Sequence, residues 1–98
     1  MPTRAEPMFI PQIVCIAAFY KQKPVLDTPY RQLILEQDDT GTGWQVRLLG
    51  GTKWGHENEQ QLEKFPAAQF AEAEEIYGKE FDELHDAGWK AYSPYISW

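Results

Sequence analysis

Few side chains in this sequence could do covalent or metal chemistry. It holds one cysteine, Cys15, and two histidines, His56 and His85. A metal site needs several such ligands converging at set spacings, such as C-x-x-C or H-x-x-x-H, and neither spacing occurs. No metal and no cofactor is therefore expected. Cys15 sits in the run IVCIAAFY, Ile13 to Tyr20, whose β-branched and aromatic residues predict a largely buried strand, where a thiol behaves as an inert small hydrophobe. Glu72, Glu75, Asp82, Glu83 and Asp86 share one side of a helical pattern and suit a solvated face better than an acid/base pair. Neither Thr40–Gly43 nor Gly50-Gly51 fits a phosphate-cradling loop. The residues imply a chain that is not an enzyme.

The constellation with a functional reading is aromatic and basic: Arg47, Lys53, Trp54 and His56. Trp54 can either cap the sheet edge as a core plug or stand exposed as a stacking and charge surface for a partner. Arg47 and Lys53 reach its side only if the chain folds over at Gly50-Gly51. Glu57 and Glu59 follow at once, and a mixed field suits a protein partner better than a phosphate backbone. A second aromatic group, Tyr92, Tyr95, Ile96 and Trp98, either folds back over the core or forms another contact strip.

The bulk numbers bound these readings. A chain of 98 residues is one domain with a single core. Its net charge of −6 argues against a general polyanion binder. That charge is unevenly spread: Glu57 to Asp86 carries ten acids and two lysines, leaving the remainder with seven basic and five acidic residues. A lone cysteine cannot form an internal disulfide, which points to a reducing, cytoplasmic setting. The apolar stretch Phe9–Tyr20 is interrupted by Pro11 and Gln12 and is too short to span a bilayer, so no membrane association is expected.

The elements that must position these residues follow from periodicity. Met1–Met8 reads as a disordered lead and Lys90–Trp98 as an aromatic tail. Tyr30–Gln37 and Trp44–Leu48 alternate about the polar turn DDTGTG, the pattern of a hairpin. Gly50 and Gly51 are expected to break the second strand, and Gln61–Phe65 to form a short edge strand. Phe70, Ala73, Ile76, Tyr77, Phe81 and Leu84 then recur at steps of three and four. They predict one helix from Pro66 to Trp89, ended by Gly88 with Trp89 behind it. The fold expected is α+β, with a small antiparallel sheet of about four strands packed on one long C-terminal amphipathic helix.

That layout resembles the WGR domain, the module of poly(ADP-ribose) polymerases and of small bacterial proteins, over about Ile13 to Tyr92. The resemblance is carried by YRQLILEQDD (Tyr30–Asp39), WQVR (Trp44–Arg47) and the block Leu62–Trp89. The motif for which the family is named falls either on Leu49-Gly50-Gly51 or on Trp54-Gly55-His56, and neither has its arginine. The resemblance implies a non-catalytic interaction module. With the arginine missing and the charge negative, its partner is expected to be a protein, with a DNA end or single strand as the alternative. Trp98 joins Arg47, Lys53, Trp54 and His56 as a candidate contact.

Overall fold

The computed structural model describes residues 12–92, without the side chain of His56. The lead and the end of the aromatic tail, with Tyr95, Ile96 and Trp98, lie outside the described residues. Strands β1 (Ile13–Tyr20), β2 (Pro29–Gln37), β3 (Trp44–Thr52) and β4 (Gln60–Ala67) precede helix α1 (Phe70–Asp86), and β5 (Lys90–Ala91) follows it. All neighbours are antiparallel, in the order β4-β3-β2-β1-β5. The α+β architecture is as the sequence implies, with the start of the tail supplying a fifth strand.

Alternation in β2 and β3 decides which side chains meet the helix. Leu33 and Leu35 of β2 and Val46 and Leu48 of β3 lie on one face and form a cluster with Phe19, Ala67, Ala73, Leu84 and Trp89. Ile76, Tyr77 and Phe81 close over it, and the Phe81 ring meets Phe19 edge-on at 4.9 Å. Phe70, first in the stripe, is more exposed than the periodicity implies. It instead packs edge-on against Trp44, with ring centroids 4.9 Å apart, a contact of about 0.5–1.5 kcal/mol beyond its buried area. That pair holds the helix start, where Gln69 makes no side-chain cap.

The far end of the helix is closed as its sequence predicts. Gly88 adopts a φ of 94°, and the N–H groups of Gly88 and Trp89 donate to the carbonyls of His85 and Leu84 at 3.0 and 2.9 Å. Trp89 folds back onto Leu84 within the core.

Three expectations are corrected. The helix begins at Phe70, because Pro66 and Ala67 stay in β4, opposite Gln45 and Trp44. An edge strand tolerates a residue with no N–H to donate. Gly50 and Gly51 do not break β3, which keeps its pairing to Thr52. At Gly51 a Cβ would lie 3.1 Å from the Glu59 Cα and 3.2 Å from the Tyr30 Oη, so the glycine admits a close backbone approach. The third concerns β1, which is largely exposed from Ile13 to Ile16, Cys15 included. Only Phe19 of this strand is fully buried, because the helix packs over β2, β3 and β4 rather than over the start of β1.

The helix supplies a test of the packing. Leu84→Ala is expected to cost about 2–5 kcal/mol in urea unfolding. Gly78→Ala, where a Cβ would meet open space, is expected to gain about 1 kcal/mol. A neutral Leu84→Ala would place the stripe toward solvent.

Candidate interaction surface

At one end of the sheet, β1 finishes beside the start of β2, and β3 finishes beside the start of β4. The connections 21–28 and 53–59 are therefore neighbours, and buried Thr28 joins them. Its hydroxyl accepts from the Val25 N–H at 2.8 Å, its own N–H donates to the Val25 carbonyl at 3.2 Å, and its carbonyl accepts the Lys53 N–H at 3.0 Å. Asp27 completes the first turn at a φ of 65°, in the left-handed region that aspartate tolerates. In the second loop, the Thr52 hydroxyl accepts the Gly55 N–H at 3.3 Å and the Gly55 carbonyl accepts from Asn58 at 2.8 Å. That bond closes the short 3-10 helix His56–Asn58.

With their backbones secured inward, these loops turn large apolar side chains outward. Trp54 is 66% exposed, Leu26 65% and Val25 55%. Lys53, Asp27 and Glu57 on the same two loops are exposed as well, so the loops combine apolar side chains with charges of both signs. Trp54 is outside the core cluster, which removes its reading as a core plug. The sequence singled out Trp54 and Lys53 but missed Val25 and Leu26. Their signal was two adjacent large aliphatics in a loop fenced by Pro24 and Pro29, with no periodicity to bury them.

Arg47 belongs elsewhere. It lies mid-strand on the sheet face away from the helix, six residues and thus about 20 Å of extended chain from Lys53. Its Nε and Nη2 donate to Glu36 Oε1 at 3.0 and 2.6 Å, while Gln45 Nε2 donates to Oε2 at 2.9 Å. Glu36 is buried, and a buried carboxylate requires this kind of compensation. Arg47 thus neutralises Glu36 rather than joining Trp54. The groove beside the pair, about 370 Å³, is also bordered by Asp39, Gln61 and Lys64.

The motif positions also part company. Leu49-Gly50-Gly51 lies inside β3, whereas Trp54-Gly55-His56 runs from the turn after β3 into the first residue of the 3-10 helix. The His56 side chain and Trp98 fall outside the described residues. Among the described residues, no three of His, Cys, Asp and Glu are grouped to hold a metal ion, and no helix is long and apolar enough to cross a membrane.

Two aromatic contacts brace the loops from below. Trp89 lies under the Lys21 ammonium at 5.1 Å and the Arg31 guanidinium at 4.6 Å, within the range of cation–π attraction. Buried Tyr30 donates its hydroxyl to the Glu59 carboxylate, tying β2 to the start of β4. Comparison with protein-family models, with curated proteins and with solved structures finds no match for this chain.

The Tyr30 contact gives a pH test. Burial, then the hydrogen bond and the charge of Glu59, push its phenol from 10.0 to about 12. The fold holds this proton more tightly than the unfolded chain does, so the stabilisation is complete below pH 10 and lost as pH rises through about 12. Tyr30→Phe is expected to cost about 1–3 kcal/mol at neutral pH and to flatten the alkaline loss in urea unfolding. Parallel losses in both proteins would assign that loss to other groups.

Proposed function

We propose that this chain is a non-catalytic interaction module of the WGR type whose partner is a protein, and that it works in the reducing cytoplasm. The layout of one sheet on one helix supports the type. The observation that carries the binding reading is the pair of loops clipped through Thr28, one exposing Val25 and Leu26 and the other Trp54. Large apolar side chains held by hydrogen-bonded backbone lose little freedom on binding, so their contacts convert into affinity. Lys53, Asp27 and Glu57, exposed on the same loops, provide charges of both signs for orienting a protein surface. Arg47, occupied by Glu36, is not part of this contact.

The test compares wild type with Trp54→Ala and Leu26→Asp in unfolding and in quantitative crosslinking capture of the partner. Both variants are expected to keep the wild-type midpoint, and Trp54→Ala to bind about 30-fold more weakly, the equivalent of a hot-spot loss near 2 kcal/mol. Undiminished capture by both folded variants would remove this surface from the contact. Salt-sensitive binding of blunt or single-stranded DNA that weakens with Lys53→Ala would favour the nucleic-acid reading instead.

A further inference from the structure

The two long edges of the sheet are guarded differently. Along β4 the outer strand carries Glu63, Lys64 and Pro66, features that discourage another strand from adding. Along β1 the run Ile13–Ala18 carries no charge and no proline. There β5 pairs only with Phe19 and Tyr20, and the Tyr92 N–H adds a last bond to the Ala18 carbonyl at 2.6 Å. Alternate residues of an antiparallel strand direct their backbone groups to the same side, so Ile16, two before Ala18, presents its own outward. Among the described residues nothing pairs with that side of Ile13–Ala17. The flanking side chains of Ile13, Val14, Cys15 and Ile16 are exposed as well.

We propose that the outer edge of β1, Ile13–Ala17, joins two copies of this chain as an antiparallel ladder that merges their sheets into one. A second copy fits this edge for reasons of charge and shape. Each chain carries −6, so a self-contact needs a strip that contributes no like-charge pair, and this run is uncharged and self-complementary. Its β-branched side chains suit cross-strand packing. The β5 segment of each copy closes the edge beyond Ala17, so pairing is confined to a short window whose two-fold lies near Cys15. Antiparallel joining also places the two Trp54 surfaces at opposite ends of the combined sheet, leaving both free. The dimer would then present two copies of the contact proposed above and gain avidity on a partner with repeated sites.

Sedimentation of the full chain is expected to show a concentration-dependent dimer, and a short bis-maleimide to link it through Cys15. Ile16→Lys places a charge on the exposed edge, so it is expected to remain folded by circular dichroism while sedimenting as a monomer that the reagent does not link. A wild-type monomer at every concentration would overturn the proposal. So would a dimer that persists in folded Ile16→Lys or that fails to link at Cys15. None of these readouts depends on the partner of Trp54, so the two proposals can fail separately.

Discussion

The structure depends on one buried contact, the closure of Ala73, Ile76, Tyr77, Phe81 and Leu84 over Phe19, Leu33, Leu35, Val46 and Leu48. One helix can shield only one face of a sheet, and burial of apolar surface is the dominant favourable term in a domain this small. The other face therefore needs its own solution. It is built around Tyr30, Ile34 and Leu49, with Glu36 buried beside them and balanced by Arg47 and Gln45. Loss of Arg47 would strand a carboxylate where water cannot easily reach it.

That packing fixes where the surface loops can be. Because β2 and β3 are paired without interruption from Pro29–Thr52 to Gln37–Trp44, the loops at their ends are anchored directly on the core. Gly51 lets the Glu59 backbone approach β3 closely, and Tyr30 binds the carboxylate of the same residue. Val25, Leu26 and Trp54 are exposed because the chain beneath them has already satisfied its hydrogen bonds, not because the loops lack structure.

The sequence made the helix stripe, its Gly88 ending and the hairpin legible, since each is a local pattern with a local cause. It misplaced the helix start because Pro66 suits a first helical turn and an edge strand equally well. It read Gly50-Gly51 as a break because close approach by a distant segment leaves no local trace. The exposure of β1 was hidden for the same reason: composition identifies a strand but not what covers its sides. At the candidate site, Trp54 and Lys53 were visible as residue types. Arg47 was assigned to the wrong partner, since Glu36 meets it only across the hairpin, and Val25 and Leu26 became noticeable only through the Thr28–Lys53 bond.

The central claim is that the two loops form one preorganised surface before any partner arrives. Hydrogen exchange at the Lys53 amide tests it most directly, because that N–H crosses between the loops to the Thr28 carbonyl. The account predicts protection comparable to that of the paired β2 and β3 amides, with opening that follows global unfolding. Exchange at the rate of an open loop, while β2 and β3 remain protected, would contradict it and leave the exposed apolar residues on separately moving segments.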